Sequence, residues 1–252
     1  MDDIDQRKSN PEKLMEDLRD NILELGRLSI DMVQWSPYID WSKRLESEGY
    51  LKTPRLIQAF KTVKRSDFLP AGQEHFASTN SPVPIGYRQT NSQPSVVAEM
   101  LEWLEPKTGQ RVLDIGSGSG WTTALLADVV GYKGHVLGLE KVPELVKWSR
   151  TNIKKYDYKQ VEIREAGAKL GAPRSERFDS ILVSAVGEMD WAADLSKQLT
   201  DSGRLVMPIF LDERTELDPS LRSQGILVMQ KHGTKEPEFE IHHDFVFVPL
   251  IY

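Results

Sequence analysis

Residues 112–120 read VLDIGSGSG, an apolar run that ends in a turn containing three glycines. The apolar run is typical of a short buried β-strand, and the residues that follow, WTTALLADVV at 121–130, have a helical pattern. Glycine lets a ligand approach the backbone closely, and the first turn of a helix offers free N–H groups to it. The stretch therefore predicts a strand, a ligand-binding loop and a helix in succession.

Strand and helix patterns alternate around this stretch, which implies parallel strands joined by crossover helices. The last two predicted strands have no helix between them, so they fit an antiparallel pair at the sheet edge. We therefore expect an α/β fold with a Rossmann-like, mostly parallel, seven-stranded sheet and an antiparallel C-terminal edge. The seven predicted strands are RVLDIG (111–116), HVLGLE (135–140), QVEIREA (160–166), FDSILVSAV (178–186), GRLVMPIF (203–210), GILVMQKHG (225–233) and FEIHHDFVFVPLI (239–251).

Residues 11–34 form a separate feature at the start of the chain. Their leucines and isoleucines recur at three- and four-residue spacing, which predicts an amphipathic helix that either packs on the main domain or binds a partner. We expect a helical extension over residues 1–40 and one domain over residues 41–252.

Composition excludes several classes of function. The chain has no cysteine, which excludes disulfides, thiolate zinc sites and cysteine nucleophiles. Its net charge of -6 offers no broad basic footprint for nucleic acid. No apolar run is long enough for a membrane helix, and the first residues lack a signal-peptide pattern. The five histidines show no metal-binding spacing. We expect a cytoplasmic monomer that binds no metal, nucleic acid or membrane.

The glycine loop and its acidic neighbours indicate the cofactor. Gly116, Gly118 and Gly120 are spaced G-x-G-x-G, unlike the G-x-G-x-x-G pattern of dinucleotide sites. Asp114 would repel a pyrophosphate but attract a sulfonium, and Glu140 ends the next strand, where a carboxylate can accept both ribose hydroxyls. The pattern favours S-adenosylmethionine over NAD. The alternatives are a tight strand-to-helix turn without a ligand and a solvated strand end at Glu140.

Residues 84–94, PIGYRQTNSQP, resemble the motif before the cofactor site of protein-L-isoaspartate O-methyltransferases. The resemblance extends over about residues 40–252 and includes VKRSDFLP (63–70), LEKVPELVKWSRTNI (139–153) and the terminal FVFVPLI (245–251). It implies an enzyme of protein repair that transfers a methyl group from S-adenosylmethionine to the free carboxylate of isoaspartyl residues in damaged proteins or peptides. The ester then collapses to a succinimide, whose hydrolysis returns some normal aspartate.

The resemblance also implies roles for individual residues. Ser92 matches the serine that holds the acceptor carboxylate, and Gln89 and Thr90 match residues beside the cofactor. Asp114, Gly116 and Glu140 match cofactor contacts. A carboxylate with a pKa near 4 is ionised at neutral pH, so a hydroxyl that orients it is sufficient and no strong base is needed. The alternative for Ser92 is the N-cap of the helix that follows.

Three positions depart from the family pattern. Arg88 stands where the family usually has glycine, and it either attracts an acceptor carboxylate or pairs with a surface acid. Ala166 replaces the aspartate that touches the adenine amino group, with Glu165 as a possible substitute. Residues 186–188 differ in the loop expected to border the acceptor. These departures leave two alternatives: a methyltransferase for a different carboxylate, and a cofactor-binding protein without turnover.

Overall fold

The computed structural model describes residues 41–212 and 222–251. The α-helices in these ranges are α1 (Trp41–Ser47), α2 (Pro54–Thr62), α3 (Pro94–Leu104), α4 (Trp121–Val130), α5 (Pro143–Ile153) and α6 (Met189–Ser196). Two short 3-10 helices span Arg65–Phe68 and Glu74–Ser78. The helix predicted over residues 11–34 lies outside the described residues, and the division of the chain at residue 40 stays a prediction.

The strands form a two-stranded hairpin and a seven-stranded sheet. The hairpin consists of β1 (Val83–Gly86) and β2 (Gln89–Asn91). The sheet contains β3 (Arg111–Ile115), β4 (His135–Glu140), β5 (Val161–Glu165), β6 (Phe178–Val183), β7 (Leu199–Phe210), β8 (Gln224–Gln230) and β9 (Glu238–His243). Its order is β5-β4-β3-β6-β7-β8-β9, with β3 to β7 parallel and β8 and β9 antiparallel. The predicted Rossmann-like sheet with an antiparallel C-terminal edge is confirmed.

Alternate residues of the central strands enter two separate cores, because successive side chains of a strand point to opposite faces. Val112 and Val136 belong to the core that includes side chains from α1 to α5. Leu113 and Leu137 belong to the other core, which includes side chains from α6. Burial on both faces explains why these strands read as continuous apolar runs in the sequence.

The prediction of the last strand, over residues 239–251, is wrong beyond His243. Strand β9 ends there, and Asp244 has a left-handed φ of 70° that turns the chain. The backbone then pairs with the loop after β6: the Val186 N–H donates to Val248 O at 2.9 Å, and the Leu250 N–H donates to Val186 O at 2.9 Å. The run FVFVPLI is extended, but its hydrogen bonds near Pro249 go to this loop instead of strand β8.

The sheet order brings several strand ends together. From β3 the chain winds outward through β4 and β5, and then returns to the other side of β3 as β6. Ligands of open α/β sheets bind beyond the carboxyl ends of the strands at such a reversal. The loops after β3, β4, β5 and β6 therefore meet at one edge. Among the residues described, no helix is both long enough and apolar enough to cross a membrane.

Candidate active site

A cavity lies at the carboxyl ends of the parallel strands. It contains about 610 Å³ of space between protein atoms, a figure that includes space open to solvent. Five of the residues predicted from the sequence line it. Two come from the hairpin, two from the glycine loop and one from the end of β4: Gln89, Thr90, Gly116, Gly118 and Glu140. Ser92, Asp114 and Gly120, which were also predicted, are not among the lining residues.

The glycine loop adopts a backbone conformation that residues with a Cβ atom disfavour. Gly116 and Gly118 have φ values of 77° and 54°. A Cβ added at Gly118 would lie 3.3 Å from Cδ1 of Ile85 in the hairpin. Gly120 has a φ of 92°, and its Cβ would lie 3.2 Å from Cβ of Ser149 on α5. Gly120 therefore allows α5 to pack closely, whereas Gly116 and Gly118 present backbone to the cavity.

Glu140 is held in place by the loops on either side of it. Its carboxylate accepts the backbone N–H of Gly118 at 2.8 Å and the backbone N–H of Val142 at 2.9 Å. An ionised carboxylate has about four acceptor positions, so two remain for other donors. The side chain is buried but lines the cavity. This arrangement can accept the two hydroxyls of a ribose.

Asp114 lies beneath the glycine loop and is fully buried. One of its oxygens accepts hydroxyl hydrogen bonds from Thr122 at 2.8 Å and Thr123 at 2.6 Å, both on the first turn of α4. Burial raises the pKa of Asp114 to about 6, although these hydroxyls and that of Ser184 act in the opposite direction. The geometry gives Asp114 a role in joining the loop to α4. Its predicted attraction for a sulfonium stays a prediction.

Arg65 fixes the segment that carries the hairpin. This buried guanidinium donates to the carbonyl oxygens of Thr79 and Ser81, both at 2.7 Å, and of Ser92 at 3.0 Å. It also donates to Oδ1 of Asn91 at 2.8 Å. Burial lowers the pKa of Arg65 to about 9, so the guanidinium remains protonated at neutral pH. The sequence reasoning missed this residue, although it lies within the quoted segment VKRSDFLP.

The same network joins the hairpin to the glycine loop. The Asn91 amide, which accepts from Arg65, donates to Oγ of Ser119 at 3.2 Å. The guanidinium of Arg65 also lies 5.4 Å from the centre of the Trp121 ring at the start of α4. Arg65 therefore couples the predicted acceptor-binding residue, Ser92, to the loop that borders the cavity.

Ser92 is half-buried just after β2. It is not the N-cap of α3, because Gln93 occupies that position. The free backbone N–H of Ser95 is satisfied by Oδ1 of Asn80 at 3.1 Å. The capping alternative for Ser92 is therefore wrong, and its predicted contact with an acceptor stays a prediction.

Sequence reasoning missed much of the cavity wall. Lys141, Lys169, Leu170 and Ser184 follow the strand ends, and residues 248–251 also line the cavity. The carboxyl-end rule could have found the first group from the strand pattern alone. The C-terminal segment gave no such signal, because it reads as the continuation of a strand.

The departures from the family pattern occupy distinct places. Ala166 lines the cavity, whereas Glu165 lines a wider, adjoining cleft that shares Leu139 and Leu170 with the cavity, and its substitution for the aspartate stays a prediction. In the loop after β6, Gly187 is required by packing, because an added Cβ would lie 2.3 Å from Cε3 of Trp191. Glu188 pairs with the buried Arg222 at 2.8 Å, and Arg222 also pairs with Asp212 at 3.0 Å.

The chemistry of the cavity fits S-adenosylmethionine. The glycine backbone has room and conformation for close approach, and Glu140 retains acceptor positions for ribose hydroxyls. Apolar side chains from Leu139, Ala166 and Leu170 can cover an adenine ring. No group of three or more His, Asp or Glu side chains within residues 41–212 and 222–251 is placed to hold a metal ion.

Comparisons with known proteins agree with this geometry. The family model for protein-L-isoaspartate(D-aspartate) O-methyltransferase (PCMT) matches residues 40–252. A protein-L-isoaspartate O-methyltransferase of Methanopyrus kandleri is 35% identical over 210 residues, covering 83% of this chain and 88% of that protein. One of Pyrococcus horikoshii is 32% identical over 219 residues, covering 85% and 94%.

A solved structure shares the fold. It is a Plasmodium falciparum chain described as a protein-L-isoaspartate O-methyltransferase, in complex with S-adenosyl-L-homocysteine. The match has a TM-score of 0.68 at 24% identity and covers 84% of this chain and 96% of the other.

Proposed function

Because the chain belongs to the protein-L-isoaspartate(D-aspartate) O-methyltransferase family, we propose that it transfers a methyl group from S-adenosylmethionine to the free carboxylate of L-isoaspartyl residues in damaged proteins or peptides. One structural observation carries this proposal: a single cavity joins the glycine loop and Glu140 to Gln89 and Thr90 of the hairpin. The glycine loop and Glu140 hold the cofactor, and the hairpin brings the acceptor to it.

The reaction needs orientation more than proton transfer. When bound, S-adenosylmethionine would supply an electrophilic methyl group, and its transfer from sulfur to the acceptor carboxylate would give a methyl ester and leave S-adenosylhomocysteine. A side-chain carboxylate with a pKa near 4 is already ionised at neutral pH, so no base has to remove a proton from it. Holding two reactants in line can itself provide a large part of the rate enhancement. The chain therefore has to position the acceptor and exclude competing geometries.

Ser92 is the residue we assign to the acceptor. Its hydroxyl can donate a hydrogen bond to one carboxylate oxygen while the other oxygen remains free to react. The four backbone and side-chain bonds that Arg65 makes to Thr79, Ser81, Asn91 and Ser92 support this role, because they hold the serine's backbone rigid. Gln89 and Thr90 are assigned to the cofactor.

The experiment that tests the function uses two synthetic peptides that differ only in isoaspartate or aspartate at one position. Labelled S-adenosylmethionine should transfer its methyl group to the isoaspartyl peptide alone and form a base-labile ester. Equal labelling of both peptides would indicate a different carboxylate acceptor. Cofactor binding without labelling of either peptide would indicate a binding protein without turnover.

Ser92→Ala tests the assignment of the acceptor residue. We expect a lower turnover with nearly unchanged cofactor affinity, measured by peptide kinetics and by calorimetry. Ser47→Ala is the matched control, because Ser47 is exposed at the end of α1 and, among the described residues, its hydroxyl bonds only the local carbonyl of Arg44. Equal losses of turnover and cofactor affinity in Ser92→Ala would argue for a structural role instead.

We also propose that the chain acts as a monomer without a nucleic-acid partner. Its net charge of -6 supports the second statement, because phosphate backbones favour basic surfaces. Light scattering of the purified chain, with and without added RNA, tests both statements. The cytoplasmic location stays a prediction that cell fractionation can check.

A further inference from the structure

The turn between β1 and β2 has an unusual backbone. Tyr87 and Arg88 connect the two strands, and their φ values of 54° and 60° are both left-handed. A two-residue hairpin turn with two positive φ angles normally uses Asn-Gly or Gly-Gly, because a side chain crowds the backbone there. The hairpin therefore carries two large side chains at positions where glycine would fold more easily.

Neither side chain is used to hold the described part of the chain together. Tyr87 is 56% exposed, and Arg88 is exposed as well. Within residues 41–212 and 222–251, no hydrogen bond or ion pair engages the guanidinium of Arg88. Strained residues of this kind concentrate at functional sites, where the strain is compensated by what the residue does.

The turn adjoins the cavity wall in sequence. It directly precedes Gln89 and Thr90, which line the cavity, and Ser92 follows four residues after Arg88. Arg88 itself is exposed and is not a lining residue. A cation outside the cavity does not tie up the lone pairs of the reacting carboxylate, but it can attract a second negative group of the substrate.

Two acidic side chains on the neighbouring strand-end loops are already paired. Glu188 precedes α6 and Asp212 follows β7, and both carboxylates bind Arg222. Lys141, which lines the cavity, donates to the carbonyl of Gly167 at 3.3 Å. Arg88 and Lys169 are exposed cations without an acidic partner in the described part of the chain, and Arg88 directly precedes the cavity residues Gln89 and Thr90.

We propose that Arg88 is a specificity-determining residue that binds an acidic side chain next to the isoaspartyl residue of the substrate. The chain then prefers isoaspartyl segments that are acidic, and the exposed ring of Tyr87 packs against the same segment. This inference rests on the proposed function and deepens it, because it names the class of isoaspartyl substrate. Exposed ion pairs are weak, so the preference should be modest and should decrease with salt.

The test compares two isoaspartyl peptides that differ only in Glu or Lys beside the isoaspartyl residue. We expect kcat/KM to favour the Glu peptide by about 5-fold at low salt. Arg88→Gly should abolish this preference, and it should fold readily because glycine adopts a φ of 60° without strain. Arg88→Lys should retain part of the preference, because it keeps the charge.

Tyr87→Gly is the matched control, because it relieves the same kind of strain in the same turn but leaves the charge of Arg88. The preference for the Glu peptide should persist in this variant. Equal kcat/KM for both peptides in the unmodified chain, or an unchanged preference in Arg88→Gly, would overturn the inference and leave the proposed function intact. Failure of the unmodified chain to methylate any isoaspartyl peptide would refute the proposed function, and the inference with it.

Discussion

The effect of Asp114→Asn on stability should depend on pH. Compared with the unmodified chain, the variant should be more stable at neutral pH than at acid pH. The carboxyl group is fully buried, and burial raises its pKa from 3.8 to about 6. Ionisation is therefore more costly in the folded chain than in the unfolded chain. Asparagine has nearly the same shape but does not ionise. Any hydrogen bonds that asparagine makes with Thr122 and Thr123 contribute the same free energy at every pH, because none of these groups ionises.

The size of the effect follows from the shift in pKa. A group whose pKa is raised by folding contributes stability below its unfolded pKa and loses that contribution as the pH rises through its folded pKa. For Asp114 the window runs from about pH 4 to about pH 6. One pKa unit corresponds to about 1.4 kcal/mol. The free energy of unfolding of Asp114→Asn, minus that of the unmodified chain, should therefore rise by about 3 kcal/mol across this window.

Urea unfolding of both proteins at a series of pH values from about 3.5 to 8 measures this difference, with tryptophan fluorescence as the signal. Asp157→Asn is the control for removing one carboxylate, because the side chain of Asp157 is 87% exposed. A difference between Asp114→Asn and the unmodified chain that stays constant with pH would refute the reasoning. A difference that falls with rising pH would mean that the hydroxyl hydrogen bonds outweigh burial.

Three further substitutions test the site and its support. Glu140→Gln should weaken binding of S-adenosylhomocysteine by about 10- to 100-fold in calorimetry, because a neutral amide loses charge-assisted hydrogen bonds. Gly138→Ala should lower the free energy of unfolding by about 1–3 kcal/mol, because the added Cβ would lie 2.6 Å from Cδ1 of Ile163. Arg65→Lys should cost about 1–3 kcal/mol for each carbonyl left without a donor, and thermal unfolding with peptide kinetics should show losses of both stability and turnover.

Each of these expectations has a contrary result. Unchanged affinity in Glu140→Gln would remove the ribose assignment. A stable Gly138→Ala would mean that the neighbouring side chains can move aside. Full turnover in Arg65→Lys would separate the guanidinium network from the positioning of Ser92.

The sequence predicted those parts of the fold whose structure is determined by residues nearby in the chain. Helix α4 spans the same residues, Trp121–Val130, as the predicted helical pattern. The glycine loop and the apolar strand β3 before it were also readable, because turn chemistry and short buried runs are local properties. The segment after His243 was not, since an extended run reads the same whether it pairs with a strand or with a loop.

Within the site, the sequence predicted Glu140 and the two glycines at positions 116 and 118, which the structure brings to the cavity. It predicted a direct cofactor contact for Asp114, which the structure places beneath the loop. Both faces of this sheet are buried, so an apolar pattern does not reveal which face an acidic residue on a strand points toward. The role of Arg65 was hidden for another reason, because its partners lie 11 to 27 residues away in an irregular segment.

The amino-acid pattern alone establishes an α/β sheet with a glycine loop and an acidic residue at the end of the next strand. It also shows the family motif over residues 84–94. Each of these features can be read from residues that are close together in the sequence. The tertiary structure alone decides which residues meet at the cavity. Strand order and the pairing of residues 248–250 with the loop after β6 depend on contacts between segments far apart in the sequence, and no single segment shows which distant partner it will contact.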